Sequence, residues 1–133
     1  MNYLRAQLVR VMTRYFDTDD RRIEHALRVW YHAERLMADR PACDPQILIA
    51  SALLHDVGIK VSEGKHGYNN GKTQEEYGPP VAQTLLDAIG FPSEKTHIVK
   101  QIIGNHHSPS RYDYPELALL KAADAIVNKD EEA

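Results

Sequence analysis

Apolar residues recur along this chain at intervals of three and four, which is the spacing that places them on one face of an α-helix. No stretch shows the alternation of apolar and polar residues that is typical of a half-buried β-strand. The pattern predicts amphipathic helices over residues 2–16, about 20–39, about 79–89, 93–106 and from 115 onward. We therefore expect an all-α fold.

The stretch ILIASALLHDVGIKV, residues 47–61, is apolar on nearly every side. Asp44 and Pro45 precede it, an N-capping residue followed by a proline at the first helical position, and this pair is a strong signal for a helix start. A helix that is apolar around most of its circumference packs on several sides. We expect this helix to lie at the centre of a bundle and to carry the pair His55-Asp56 into or near its interior.

A polar, glycine-rich stretch, residues 58–80, separates the central helix from the next predicted one. Uninterrupted loops of this length in compact domains are usually functional lids or disordered segments, so the sequence predicts a long loop here. Lys60, Lys65, His66 and Lys72 make the stretch basic. That charge would suit an anionic substrate, or it would simply keep the loop in solution.

Composition narrows the classes of protein to consider. The chain has 133 residues, a net charge of -3 and one cysteine, Cys43, which excludes an internal disulfide. We expect one domain: an N-terminal helix (1–18), a helical core (19–128) and a tail (129–133). The charge gives no sign of a nucleic-acid-binding surface. Charged residues every few positions near the N-terminus argue against a signal peptide or membrane span, so we expect a cytoplasmic protein.

Side chains of the types that bind metals stand on the inward faces of several predicted helices. They are His25, His55, Asp56, His106 and Asp124. One inward histidine is usually a satisfied core residue, but carboxylates are almost never fully buried unpaired. A shared divalent cation accounts for all five together. Imidazole and carboxylate ligands suit a first-row metal: Mn, Fe, Co, Ni or Zn.

The order His25, His55-Asp56, Asp124 resembles the HD-domain superfamily of metal-dependent phosphohydrolases. The resemblance covers about residues 20–128. It rests on the His-Asp pair at the end of an apolar helix, on the inward histidine upstream, and on the late Ala-Asp-Ala in an apolar helix. It implies a bundle of five to seven helices in which these four residues bind one ion.

The resemblance leaves open whether a second ion binds. Dinuclear members, including the HD-GYP phosphodiesterases, use an adjacent histidine pair late in the chain, and His106-His107 matches that pattern. They also carry a histidine at the place of Gln74, which is a poor ligand. The GYP signature is absent. We therefore expect an HD protein that is not of the HD-GYP type, in which Glu75 either replaces the missing ligand or orients a water.

The resemblance implies hydrolysis of a phosphate ester or phosphoanhydride, in a nucleotide or another small metabolite, by a metal-activated water. Asp56 would bind metal and orient the nucleophile. Lys60, one residue after the place where dinuclear members have a lysine, would act in catalysis and substrate binding. Arg22 and Arg28 would also bind the substrate, since guanidinium groups suit phosphate. Arginines on an amphipathic helix are otherwise simply its solvated face.

Two other functions stay open at this point. A di-iron site on the same fold can activate dioxygen, as in the inositol-oxygenase branch of the superfamily. A catalytically inactive HD domain would bind a nucleotide or a partner and use its metal structurally. For the phosphohydrolase we expect a small anionic, phosphorylated substrate and neither nucleic acid nor membrane as partner. The first helix would pack within the bundle or against a second copy in a homo-oligomer.

Overall fold

The computed structural model describes residues 3–132, and these residues form seven α-helices and no strand. The all-α prediction is confirmed. No helix within this range is both long and apolar enough to cross a lipid bilayer. The helices are α1 (Leu4–Phe16), α2 (Asp20–Met37), α3 (Pro45–Leu54), α4 (Gly58–His66), α5 (Gly71–Ala88), α6 (Ser93–Ile103) and α7 (Pro115–Glu132).

Helix α3 is the centre of the bundle, as its sequence predicts. Every residue from Ile47 to Leu54 is buried, and the helix packs against α1, α2, α6 and α7. The Asp44 carboxylate caps it by accepting hydrogen bonds from the backbone N–H groups of Gln46 and Ile47. Burial of each leucine or isoleucine contributes about 1.5–3 kcal/mol. The turn that follows α3 is thereby fixed inside the bundle.

The prediction of a long loop over residues 58–80 is wrong, because most of these residues are helical. Residues Gly58–His66 form α4, and α5 begins at Gly71 rather than near residue 79. The two helices touch through glycines: a Cβ added to Gly58 would lie 2.6 Å from the backbone nitrogen of Gly78. Side chains of ordinary size at these positions would hold the helices apart. The polar sequence is therefore stabilised as helix by backbone contact between neighbours.

The start of α5 is set by a cap that the loop prediction overlooked. The Asn70 side chain accepts from the Thr73 backbone N–H, and the Thr73 hydroxyl accepts from the Asn70 backbone N–H. Such a capping box satisfies two N–H groups that a helix start leaves unpaired. Pro79 and Pro80 lie inside α5 rather than at its beginning. An interior proline removes one helical hydrogen bond and normally signals a boundary, which explains the error.

Both ends of the described part of the chain are helical. Helix α1 packs within the bundle against α2, α3 and α5, burying Leu4, Leu8, Met12 and Phe16. Its predicted first residue, Asn2, lies outside the described residues. The tail predicted at residues 129–133 is instead the last turn of α7 as far as Glu132. Ala133 also lies outside the described residues.

Candidate metal centre

Four side chains from three parts of the bundle meet where α3 ends, and we call them the inner cluster: His25, His55, Asp56 and Asp124. His25 lies on α2, Asp124 on α7, and the His55-Asp56 pair in the turn between α3 and α4. The Nε2 atoms of His25 and His55 are 3.3 Å apart. Their distances to the nearest oxygen of each carboxylate range from 3.1 to 3.4 Å. The structure thus brings together the four residues that the sequence singled out.

His106 borders the inner cluster from a turn after α6, because that helix ends at Ile103 rather than at residue 106. Its ring and that of His55 are anchored by the same kind of hydrogen bond. His55 Nδ1 donates to the Ala52 carbonyl at 2.8 Å, and His106 Nδ1 donates to the Ile103 carbonyl at 2.6 Å. Both acceptors belong to a helix end, where carbonyls lack helical partners. Each ring therefore turns its Nε2 atom toward the cluster.

The Nε2 atom of His106 indicates that a cation belongs here. The His106 side chain is only 1% exposed, and its Nε2 atom has no hydrogen-bond partner. The nearest carboxylate oxygen, Asp56 Oδ1, is 3.8 Å away, too far for a hydrogen bond. A buried polar atom without a partner is costly. A divalent cation between the imidazole and the carboxylate would satisfy both, so these residues fit a metal ion.

The charges of the inner cluster point to the same conclusion. Burial alone would raise the pKa of Asp56, but the neighbouring His55 charge holds it well below its usual range. Burial likewise acts to raise the pKa of Asp124, and hydrogen bonds from His25 and His55 lower it strongly. Burial acts to lower the pKa of His55, yet the two carboxylates raise it to about 9. Without a metal, protons on the imidazoles balance the carboxylates; a cation would displace those protons.

An open cleft of about 160 Å³ leads from the surface to the inner cluster. Arg22 reaches it with a side chain that is 19% exposed, and its Nε atom is buried without a hydrogen-bond partner. Its contact with the Glu63 carboxylate, at 3.7 Å, is an ion pair too long for a hydrogen bond. The cleft is also lined by Arg21, Ile59, Asn69, Gln74, His107, Asn128 and Glu131.

Comparison with known proteins identifies the family. The sequence profile of the HD domain matches residues 22–129, most of the chain. The chain belongs to the HD domain family. This confirms the membership predicted from His25, His55-Asp56 and Asp124, and HD domains bind divalent metals.

The curated relatives that match this chain are much longer than it is. It is 30% identical over 107 residues to Ribonuclease Y of Clostridium novyi, which covers 78% of this chain and 18% of that protein. Ribonuclease Y of Clostridium tetani is 29% identical over 107 residues, covering 78% of this chain and 17% of that protein. The chain therefore spans less than a fifth of the length of these relatives.

A solved structure confirms the fold. The chain matches the crystal structure of a predicted HD superfamily hydrolase from an uncultured Thermotogales bacterium with a TM-score of 0.69. The two are 25% identical, and the match covers 96% of this chain and 74% of the other. The fold is that of an HD domain, and membership of this superfamily supports a hydrolase.

Beside the inner cluster of this HD domain lies a second set of ligand-type residues. Asp56, His106 and His107 each offer an atom within 4.8 Å of the others. The Nε2 atom of His107, however, is 2.6 Å from Gln74 Oε1, to which it donates. Gln74 in turn donates from Nε2 to Asn69 Oδ1 at 2.8 Å. Burial and the neighbouring His106 imidazole lower the pKa of His107, which favours its neutral form.

Glu75 is not part of this second set. Its carboxylate accepts from the His107 backbone N–H at 2.9 Å and from the Ser108 hydroxyl at 2.6 Å. Burial acts to raise its pKa, but these hydrogen bonds lower it. Glu75 therefore supports the turn that carries His106 and His107. We call Gln74, Glu75, His107 and Ser108 the outer rim.

Lys60 and Arg28, both predicted at the site, lie elsewhere in the structure. Lys60 is exposed; its Nζ donates to the Tyr15 carbonyl at 3.2 Å and lies 5.2 Å from the centre of the Tyr15 ring. The helical path of α4 turns Ile59, not Lys60, toward the cleft. Arg28 pairs with Asp130 at 3.6 Å. The position of Lys60 therefore does not support the catalytic role predicted for it.

Sequence reasoning missed three residues that line the cleft: Asn69, Asn128 and Glu131. Asn69 fell in the stretch assigned to a loop. Asn128 and Glu131 follow Asp124 by four and seven positions, which places all three on one face of α7. That spacing is a usable signal, but the predicted tail includes Glu131.

Proposed function

We propose that this HD protein is a metal-dependent phosphohydrolase acting on a phosphate ester or phosphoanhydride of a nucleotide or another small metabolite. The observation that carries the proposal is the unpartnered Nε2 atom of His106, which faces Asp56, a residue that lines an open cleft. Structural metal sites are closed by their protein ligands, whereas catalytic sites keep a position open to substrate. The cleft therefore favours a catalytic over a structural role.

The inner cluster, His25, His55, Asp56 and Asp124, would hold the first ion, which is one of the first-row divalent metals. A bound cation of this kind supplies Lewis acidity, neutralising phosphoryl charge and lowering the pKa of a water. The two oxygens of the Asp56 carboxylate face different histidines. Its Oδ2 atom faces His25 and His55, and its Oδ1 atom faces His106. We assign to Asp56 the orientation of the attacking water.

Arg22 is the side chain best placed to bind the substrate's phosphate. Its buried Nε atom has no hydrogen-bond partner and only a long contact of 3.9 Å with the Asp19 carboxylate, so a phosphate oxygen would gain a hydrogen bond without displacing one. Guanidinium groups bind phosphate in a planar, two-pronged geometry. Arg21 lines the same cleft, and Asn69 and Asn128 add side-chain amides. Two guanidinium groups and two side-chain amides near the metal ligands favour a small anionic substrate.

The size of the cleft limits how much of the substrate it encloses. Its volume is about 160 Å³, whereas pockets that enclose drug-sized ligands are about 300–1,000 Å³. The phosphoryl group and its nearest atoms would fit, and the rest of the substrate would lie against the surface. Phosphoryl transfer demands mainly positioning and charge stabilisation from the protein. A cleft that binds only the phosphoryl end of the substrate is sufficient for positioning and charge stabilisation.

The test is a panel of phosphorylated compounds assayed with Mn²⁺, Fe²⁺, Co²⁺, Ni²⁺ and Zn²⁺. It should contain nucleoside mono- and triphosphates, cyclic and dinucleoside phosphates, sugar phosphates and a short RNA, since the relatives named above are ribonucleases. We expect wild-type protein to cleave at least one compound, with ¹⁸O from labelled water in the phosphate product, and Asp56→Ala to cleave none.

Two results would contradict this proposal. Equal cleavage by the Asp56→Ala variant would show that the activity does not come from this site. Oxygen uptake by the iron-loaded protein, without hydrolysis of any compound in the panel, would favour the di-iron oxygenase instead.

A further inference from the structure

His25 lies between two carboxylates of the same helix, α7. Its Nε2 atom is 3.1 Å from Asp124 Oδ1, and its Nδ1 atom donates to Glu131 Oε2 at 3.0 Å. The second Glu131 oxygen is 3.2 Å from the same nitrogen. Nε2 thus faces the other residues of the inner cluster, and Nδ1, on the opposite side of the ring, is hydrogen-bonded to Glu131.

Helix geometry explains how one helix reaches both nitrogens. Asp124 and Glu131 are seven residues apart, about two turns, so they share a face of α7, and α7 packs along α2. Side chains on a helix lean toward its N-terminus. The longer glutamate side chain therefore extends back toward Asp124 and reaches the far side of the imidazole.

His25 needs an external acceptor that the other two histidines do not need. His55 and His106 donate from Nδ1 to carbonyls three residues earlier, at the ends of α3 and α6. His25 is in the interior of α2, where backbone carbonyls are already bonded within the helix. Its Nδ1–H is therefore satisfied by a group outside α2. Glu131 is that group.

We infer that Glu131 is a positioning residue of the metal centre: by accepting the Nδ1–H of His25, it fixes the ring so that Nε2 is presented to the ion. Partners of this kind hold the tautomer and the orientation of metal-binding histidines and increase their basicity. Glu131 lies beyond the HD domain match, which ends at residue 129. The last turn of α7 thus supplies a supporting residue that lies outside the part of the chain matched by the family. The inference rests on the metal centre of the proposed function.

This geometry also assigns a place to Arg28. Its guanidinium lies 3.8 Å from a Glu131 oxygen and 3.6 Å from Asp130, outside hydrogen-bonding range. Arg28 therefore lies beside the Glu131 carboxylate, and it does not line the cleft. We assign it to the support of Glu131 rather than to the substrate.

The experiment measures Co²⁺ affinity, by competition with a chelating dye, for wild type and three variants. Glu131→Ala removes the acceptor, and we expect about a 10- to 100-fold weaker affinity. Glu131→Gln keeps an oxygen that can accept the same hydrogen bond, so its loss should be smaller. Asp130→Asn is the matched control: it removes one negative charge from the neighbouring residue and should bind Co²⁺ as wild type does.

A spectroscopic measurement separates positioning from a general structural role. In Zn²⁺-loaded, ¹⁵N-labelled protein, the Nδ1–H proton of His25 should be protected from exchange with water in wild type and in Glu131→Gln. In Glu131→Ala its signal should be lost to rapid exchange. Equal melting temperatures of the metal-free proteins would show that the fold is intact.

The outcomes separate this inference from the proposed function. Co²⁺ affinity of Glu131→Ala equal to that of wild type would overturn the positioning role and leave the proposed function standing. Equal weakening by Glu131→Ala and Asp130→Asn would also overturn it, because charge alone would then account for the effect. Failure of the wild-type protein to bind Co²⁺ or Zn²⁺ would overturn both the positioning role of Glu131 and the proposed function.

Discussion

In the inner cluster, His25 and His55 turn their Nε2 atoms toward two carboxylates; in the outer rim, His107 donates its Nε2 hydrogen to the neutral amide of Gln74. The inner arrangement leaves negative charge that only protons or a cation can balance. The outer arrangement is already satisfied by hydrogen bonds. The difference indicates that an ion binds the inner cluster first, and that a second ion would have to displace Gln74 from His107.

The largest effect should come from removing charge in the inner cluster. Asp124→Asn keeps the shape of the side chain but removes the charge that faces His25 and His55. We expect metal affinity to fall by about 100-fold or more, at or beyond the upper end of losses seen for supporting partners of ligands. A Co²⁺ titration measures it. The matched change in the outer rim, Glu75→Gln, should cost much less; equal losses would abolish the distinction between the two regions.

A substitution in the outer rim should change the second ion instead. Gln74→His replaces the amide that engages His107 with an imidazole beside Asp56 and His106. We expect the affinity for a second equivalent of Co²⁺ or Mn²⁺ to rise about tenfold or more, comparable to typical effects around metal ligands. Calorimetric titration resolves the two equivalents.

Gln74→Ala is the control for that change, since it frees His107 without adding a ligand. If Gln74→Ala strengthens the second site as much as Gln74→His, the amide acts only as a blocking group. If neither variant alters the second equivalent, the outer rim does not govern metal number.

The pH dependence of stability should differ between metal-free and metal-loaded protein. The folded-state pKa of His55 is raised from 6.5 to about 9, so its stabilising contribution is complete below pH 6.5 and disappears as pH rises through 9. The pKa values of Asp56 and Asp124 are lowered, so their contribution is present above about pH 4 and disappears in more acidic solution.

Thermal melts of both forms between pH 4 and pH 9.5 test this difference. We expect the metal-free protein to be most stable from about pH 4 to 6.5 and to lose several degrees of melting temperature by pH 9. The loaded protein should lose less, since the cation replaces the protons. Parallel curves for the two forms would contradict this account of the inner cluster.

The smallest effect is expected at Lys60, which faces Tyr15 rather than the cleft. Lys60→Ala should change turnover by no more than about twofold, as for other surface substitutions. Steady-state kinetics on whichever substrate the panel identifies will measure it. A loss of turnover as large as that of Asp124→Asn would restore the catalytic role predicted from sequence.

The parts of the fold that sequence predicted are those with local signals. The Asp44-Pro45 cap, the apolar run of α3 and the charged side chains in apolar stripes need no tertiary information. They were enough to predict the all-α class and the residues of the inner cluster. A carboxylate such as Asp124 within a core stripe is informative because its burial requires a partner.

The parts that sequence missed depend on contacts between elements. Helix α4 and the first turns of α5 are polar, and they are stabilised where Gly58 meets Gly78. Nothing in the local pattern shows that these two glycines face each other. For Glu131 the reason is the opposite: its spacing from Asp124 is visible in the sequence, but the polar residues at the end of the chain predict a tail.

The most direct test of the central claim is the metal content per chain of protein purified without chelator, for wild type and Asp56→Ala. Elemental analysis should find about one or two equivalents of a first-row metal in wild type. The Asp56→Ala variant should hold essentially none, because Asp56 faces both His55 and His106. A wild-type protein that stays free of metal after incubation with Mn²⁺, Fe²⁺, Co²⁺, Ni²⁺ and Zn²⁺ would contradict the account.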